Sequence, residues 1–331
     1  MNRELDIQAG NGASRKEKSD KWKSLLLNQN SILIIFIIVL GVVVTIINPN
    51  FRNPRNIVNI LQQISVLGIV SAGVAMLLIS GNIDISVGSQ ISTIGVVMAM
   101  IVQKLGNIPL AVVAPILLGA VIGFINGIVV VKSKVHSFII SLGFMVVYQG
   151  LALFLSHGTA YLMGGKLEFL GRGRIFGYLP VMVLVFFAVV ALTHVILRYT
   201  KYGRILYAIG GNRTAAYVSG IRTERYIIIA YTVVGVLCGL AALILISQLG
   251  AAYPNTGTGY AMDTLAAVIV GGTLITGGKG SALGLLLGVV IFGMISNALN
   301  VLNVSAYLRD VVLGLIIISA VTIGRISTER Q

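Results

Sequence analysis

Ten stretches of this chain are apolar enough, and most are long enough, to cross a hydrocarbon layer, which takes about 20 residues per helix. They run near 31–47, 63–80, 86–103, 108–131, 137–156, 178–197, 227–247, 263–276, 282–302 and 308–323. The 24 basic and 10 acidic side chains cannot supply the polar surface that a soluble fold of 331 residues needs. The expected class is therefore all-α, a polytopic membrane protein with about ten transmembrane helices and the lipid bilayer as its solvent. Residues 31–323 form one membrane domain, with polar tails at 1–30 and 324–331. The eighth span is short and Gly-rich at its end, which suits a tilted, broken or re-entrant segment. Gly81-Asn82-Ile83-Asp84-Ile85, between the second and third spans, reads as a break that itself lies at membrane depth.

The formal charge of +14 would suit nucleic acid only if the basic residues formed a surface, and here they fall in short clusters between apolar spans. That is the positive-inside pattern, and no nucleic-acid partner is expected. With the N-terminus inside, seventeen Lys and Arg fall on the inner side and six on the outer. Both termini are then cytoplasmic. Six spans must precede residue 198, since one fewer would move its basic cluster outside and erase the asymmetry. No small-residue cleavage motif follows the first apolar run, so 31–47 reads as a retained helix. Two polar, Gly-rich segments, 157–177 and 248–262, lie on the outer side.

The stretch 198–226 carries six basic residues against one acid, Glu224. Asn212 suits an N-cap and Gly220 a C′ position, bracketing a short helix at about 213–219. Ala215, Ala216 and Val218, followed by Ile221, form its expected apolar surface. Two readings fit: a solvated loop whose charge fixes topology, or a docking knob for a cytoplasmic partner.

Small residues recur at four-residue spacing in Gly119, Gly123 and Gly127 and in Gly280, Gly284 and Gly288, which lets helix backbones approach closely. Packing within one subunit is the first reading and a subunit interface the second. The ladders align at an offset of 165, whereas Asn126 with Asn297 and Gly143 with Gly314 need 171. A weak repeat between spans two to five and seven to ten would be inverted in the membrane.

Acids in membrane segments are costly and therefore informative. Asp84 lies in the break and Asp263 opens the eighth span; each suits an N-cap, or a role toward a solute or gate. No acid–histidine chain suggests a proton relay. Cys238 stands alone, and His136, His157 and His194 show no metal-ligand spacing, so no metal site is expected. The segment 271–281 fails as a phosphate loop, because Gly280 stands between Lys279 and Ser281. No catalytic constellation is present. ATP-driven work would have to be done by another chain.

Four stretches carry a resemblance. Gly81-Asn82-Ile83-Asp84-Ile85-Ser86-Val87-Gly88-Ser89 is similar to a G-G-I-D-L-S-V-G-S motif. Tyr207-Ala208-Ile209-Gly210-Gly211-Asn212, with Ala215-Ala216 and Ser219-Gly220-Ile221, is the second. Pro254 to Tyr260 through Asp263 is the third, and Gly271-Gly272-Thr273 with Gly277-Gly278-Lys279-Gly280 the fourth. From about residue 50 to 323 the chain resembles the ribose-type permease subunits of bacterial ATP-binding-cassette importers for monosaccharides. Asn82 departs from the motif's Gly, and Arg213-Thr214 from its acidic pair.

The resemblance implies a subunit of the bacterial inner membrane. Its partners are an ATP-binding subunit, an extracytoplasmic solute-binding protein, and a second permease that is an identical copy or a paralogue. The chain itself binds no cofactor, with ATP and Mg held by the partner ATPase. Coupling to that ATPase is expected through Arg204, Gly210, Gly211, Asn212, Ala215, Ala216, Ser219 and Gly220. A near-neutral lining suits an uncharged polyhydroxylated solute, with Asn82, Asp84, Ser86, Asn255, Thr256, Tyr260 and Asp263 as candidates for the pathway or its gate. Importers of this class also carry nucleosides, inositol, autoinducer-2 or branched-chain amino acids, and the residues fit these alike. A stand-alone secondary transporter is the competing class, and the missing relay counts against it.

Overall fold

In the computed structural model the described residues are 29–305 and scattered positions between 308 and 318. Most of the expected tenth span and nearly all of both tails lie outside them. Eight helices among the described residues are long and apolar enough to cross a membrane. In order, α1 is Gln29–Ile47 and α2 is Pro54–Ile79, while α3, Val87–Met100, runs on as a π-helical turn, Ile101–Leu105. Next come α4, Ile108–Ser133, and α5, Ser137–Ser156. A small excursion then holds β1 (Tyr161–Leu162), α6 (Glu168–Arg172), β2 (Arg174–Ile175) and β3 (Leu179–Pro180). The chain continues through α7 (Val181–Tyr199), α8 (Lys201–Gly211), α9 (Arg213–Val218) and α10 (Thr223–Leu249), then β4 (Ala251–Ala252), α11 (Tyr260–Val270) and α12 (Ala282–Val301).

Sequence chemistry sets these boundaries. Asn107 accepts from the Leu110 amide at 3.0 Å and Ser281 from the Gly284 amide at 3.0 Å, so α4 and α12 start on side-chain caps. Gly106 and Gly250 adopt left-handed φ of 63° and 75° where the π turn and α10 end. The expected eighth span is shorter than its sequence window. At 11 residues, α11 covers about 16 Å, roughly half a hydrocarbon core. Its start also moves: Asp263 is the fourth residue of α11, within its acidic first turn, and Gly259 occupies the cap.

Helices α2, α3, α10 and α12 form the interior, while α1 and α5 leave most of their apolar surface open, as helices facing lipid do. The first glycine ladder explains the closest pairing. A Cβ on Gly119 would strike the Gly235 carbonyl, one on Gly123 the Tyr231 carbonyl, and one on Gly239 the Pro115 carbonyl. Helices α4 and α10 therefore meet backbone to backbone. In the second ladder, Gly284 and Gly288 meet the carbonyls of Gly271 and Ala267, joining α12 to the end of α11. Both ladders pack inside this subunit, in accord with the first reading.

The repeat is present, at the offset of 171. It maps α2 onto α10, the start of α3 onto α11, and α4 onto α12, with helix ends agreeing to about three residues. Contacts map as well: α4 packs on α10 as α12 packs on α2, α3 on α10 as α11 on α2, and α3 on α4 as α11 on α12. The two glycine ladders are thus not equivalent positions. Helix α2 ends, and α10 begins, at the face where α8 and α9 lie, so the halves run in opposite senses. We call that face the basic end.

Candidate functional site

Each half contains an unwound segment, and the two converge. In the first half, residues 82–86 are non-helical between α2 and α3. Five such residues can carry the chain at most about 16 Å from the basic end before α3 starts. In the second half, residues 253–259 descend from the opposite end before α11 starts. They meet at two glycines: a Cβ on Gly88 would strike the Gly257 carbonyl, and one on Gly257 the Gly88 carbonyl. The Gly257 amide also donates to Ser92 Oγ at 2.9 Å.

Unwound backbone inside a membrane must find partners within the protein. The Ile83 amide donates to Ser137 Oγ at 3.0 Å, and its carbonyl accepts from the Tyr231 hydroxyl at 3.0 Å. Asp84 is 1% exposed and organises a buried polar node. Its Oδ1 accepts from the Ser86 amide (2.8 Å) and hydroxyl (2.6 Å), and its Oδ2 from Gln90 Nε2 (3.1 Å) and Asn126 Nδ2 (3.3 Å). Tyr148 donates to Asn126 Oδ1. The carboxylate thus ties the break to α3, α4 and α5. Ser86, not Asp84, is the cap residue of α3, and it makes no side-chain capping bond. The N-cap expectation for Asp84 is corrected: its two bonds to Ser86 are local, and the rest reach across the bundle.

Asn82, Asp84 and Ser86 are all buried in this conformation, Asn82 holding the end of α2 through the Ser80 carbonyl and hydroxyl at 3.1 Å each. Asn255 is exposed, and Thr256 bonds back to Tyr253, its Oγ1 accepting from the Tyr253 amide at 2.9 Å. Tyr260 and Asp263 are half-buried in the first turn of α11. The seven therefore fall into two sets, one on each break. Between these breaks and α5 lies a cleft of about 480 Å³ that none of the seven lines. Ser89, Gln149 and Thr258 supply its polar side chains. Gln149 had no signal in the sequence beyond being polar within an apolar span. Its Nε2 donates to the Pro254 carbonyl at 2.9 Å, holding the second break against α5.

The two outer segments meet. Strand β1 pairs antiparallel with β4, Tyr161 opposite Ala252, and Arg172 Nε donates to the Gln248 carbonyl at 2.7 Å. Gly171 packs so tightly that a Cβ would strike Gln248. The β2–β3 hairpin turns through Phe176 and Tyr178, 92% and 85% exposed.

At the basic end, α8 is amphipathic. Thr200 caps it by accepting from the Gly203 amide at 3.1 Å, and Leu206 and Ile209 are buried. Asn212 ends α8 and starts α9, its Oδ1 accepting from the Ala215 amide at 2.9 Å. At the far end of α9 the Gly220 amide donates to the Tyr217 carbonyl (2.9 Å) and the Ile221 amide to the Ala216 carbonyl (3.1 Å). With Gly220 at φ 84°, this is a Schellman stop, as the sequence leads one to expect. The surface of α9 needs correction. Ala216 is 5% exposed and faces inward, while Tyr217 and Val218 are 69% and 80% exposed. Ala215, Arg204, Gly211, Ser219 and Gly220 are exposed as well.

Gly210 does not face outward. Its Cα lies against the Ile79 carbonyl at the end of α2 and the Gly278 amide in the turn before α12, both of which a Cβ would strike. Gly277 comes as close to Gly81 as to Gly210, and a Cβ on it would lie 2.9 Å from the Cα of each. The Gly278 amide donates to the Ile79 carbonyl at 2.9 Å, and the Tyr207 hydroxyl to the Gly280 carbonyl at 2.8 Å. Burial pushes the Tyr202 and Tyr207 phenols up from their ordinary value, so both stay neutral. Helix α8 therefore touches the base of the first break and the turn that follows α11. Any displacement of α8 bears on the first break and on the turn that follows α11.

An inverted pair of half-helix breaks at membrane depth, joined at one face to a short amphipathic helix pair, defines a polytopic transport protein. The family model described as branched-chain amino acid transport system / permease component matches residues 56–321, and the chain belongs to that permease family. It is 36% identical over 306 residues to the ribose import permease protein of Escherichia coli K12, covering 91% of this chain and 94% of that one. The galactose/methyl galactoside import permease of Haemophilus influenzae is 32% identical, with 94% and 98% covered. The L-arabinose ABC transporter permease of Azospirillum brasilense is 30% identical, with 93% and 90% covered. No solved structure matches the chain.

Proposed function

We propose that this chain is the membrane-spanning subunit of an ATP-binding-cassette importer for a monosaccharide-like solute in the bacterial inner membrane. The observation that carries the reading is the convergence of α8 with the base of the first break and the turn after α11 at Gly81, Gly210 and Gly277. A motor pressing on α9 would move the base of the first break and the turn after α11 together. The motor is an ATP-binding subunit seated on the exposed Ala215, Tyr217 and Val218. The excess of basic residues on the inner side, seventeen against six, supports a cytoplasmic position for this face.

A solute-binding protein docks at the opposite face, on the β1–β4 pair and the aromatic hairpin at Phe176 and Tyr178. A second permease, identical or paralogous, completes the membrane part of the importer. ATP and Mg stay on the motor, and this chain orients the solute and alternates its access. The relatives named for ribose, galactose and arabinose support a sugar, and a cleft without a charged side chain suits an uncharged polyol better than a zwitterionic amino acid.

The test is reconstitution of the chain with an ATPase and a solute-binding protein of the sugar-importer class from the same cell. Uptake into proteoliposomes is expected only with ATP inside and binding protein outside. Uptake driven by an ion gradient without ATPase would make it a secondary transporter.

A further inference from the structure

Building on the importer reading, we propose that the cleft between α3, α5 and the second break is the solute's resting station within the membrane. It takes an uncharged, polyhydroxylated ring. The cleft of about 480 Å³ falls within the size range of small-molecule sites. No charged side chain lines it. The Ser89 hydroxyl lies on its wall, 7% exposed, with no hydrogen-bond partner among the described residues. Its oxygen is reachable from the cleft and not sealed in, so it is open to bond a visitor there.

Backbone donors converge there too. Gly88 and Ser89 belong to the first turn of α3, and Gly259 and Ala261 cap and open α11; all four line the cleft. First-turn amides of a helix lack intrahelical acceptors, and here two half-helices bring such amides to one cavity. Asp84 already accepts from the Ser86 amide beneath α3, so the positive end of that helix is partly answered. Largely apolar walls bearing a few polar groups and no charge suit a sugar ring, whose apolar faces and hydroxyls need both. Gly150 forms part of the wall, and a Cβ there would meet nothing within 4 Å. A side chain at 150 would therefore enter the cleft without disturbing the fold. Gly143, two turns earlier on α5, is equally open but does not line the cleft.

The experiment places Gly150→Trp, Gly143→Trp and Ser89→Ala in the full complex with ATPase and binding protein. Uptake of labelled D-ribose, D-galactose and L-arabinose is measured beside complex assembly and ATP hydrolysis. Gly150→Trp is expected to assemble and hydrolyse ATP while uptake falls at least about twentyfold. Gly143→Trp should keep uptake within about twofold, and Ser89→Ala should raise the KM for uptake about fivefold, as loss of one hydrogen bond does. Normal uptake by Gly150→Trp overturns the station and leaves the importer intact. Equal loss in both tryptophan variants, with the complex falling apart, also overturns it, because the face would then be a subunit contact. Uptake of none of the three sugars by the unaltered complex overturns the monosaccharide reading itself.

Discussion

The two breaks occupy equivalent places in the repeat, yet they are held differently. Residues 82–86 are fixed by a buried carboxylate, two amides and three hydroxyls drawn from α3, α4, α5 and α10. Residues 253–259 are held by Gln149, Ser92 and their own turns, and several are exposed. Buried polar networks are rigid because opening them leaves several groups unpaired at once. The first break thus behaves as a fixed wall and the second as the element able to move. The difference follows from sequence: the first segment carries Asp84 and Ser86 where the second, at the offset of 171, carries Asn255 and Gly257.

The largest expected effect tests the fixed wall. Asp84→Ala leaves the amides of Gln90 and Asn126 to share the Ser86 hydroxyl and the Ser86 amide unmet, at about 1–3 kcal/mol for each group that loses its partner. Thermal unfolding in detergent should show a loss of about 3 kcal/mol, against less than about 0.5 kcal/mol for Asn255→Ala on the exposed break. Equal losses would erase the asymmetry. Next is Gly257→Ala, whose added methyl must push the two breaks apart where they cross. It should cost about 1–3 kcal/mol and lower uptake at unchanged ATP hydrolysis. Asn126→Ala against Asn297→Ala compares equivalent positions, since Asn297 bonds Asn56 at 2.8 Å whereas Asn126 serves both Asp84 and Tyr148. The Asn126 variant should lose more stability, by about 1 kcal/mol. The smallest effect is Tyr207→Phe, which removes only the bond to Gly280. We expect about 1 kcal/mol or less, with a lower ratio of solute moved to ATP hydrolysed.

Much of this arrangement is legible in the chain. Eight of the ten spans have a long helix within them, and the break at 81–85 is where the chain unwinds. The cap at Asn212 and the stop at Gly220 are where local chemistry puts them, because capping needs only neighbours in sequence. The rest depends on contacts that leave no local mark. Asn126 reaches Asp84 across 42 residues, and nothing in an apolar span says which polar side chain will do so. The inward turn of Ala216 follows from the packing of a helix too short to have a periodic pattern. Asp263 sits inside α11 because the helix begins at Tyr260 after a positive-φ glycine, a start that the apolar run alone places too late. The matched ladders misdirect the repeat offset, since close approach calls for glycine at four-residue spacing wherever two helices touch.

The central claim is that α9 drives the first break and the turn after α11 through α8. Its most direct test is the amount of solute taken up per ATP hydrolysed in proteoliposomes carrying Ala215→Glu with the ATPase and binding protein. Ala215 is exposed, so the fold should persist. The account predicts a protein that still folds and hydrolyses ATP, with uptake per ATP reduced at least about tenfold. Assembly and uptake per ATP equal to those of the unaltered chain would contradict it.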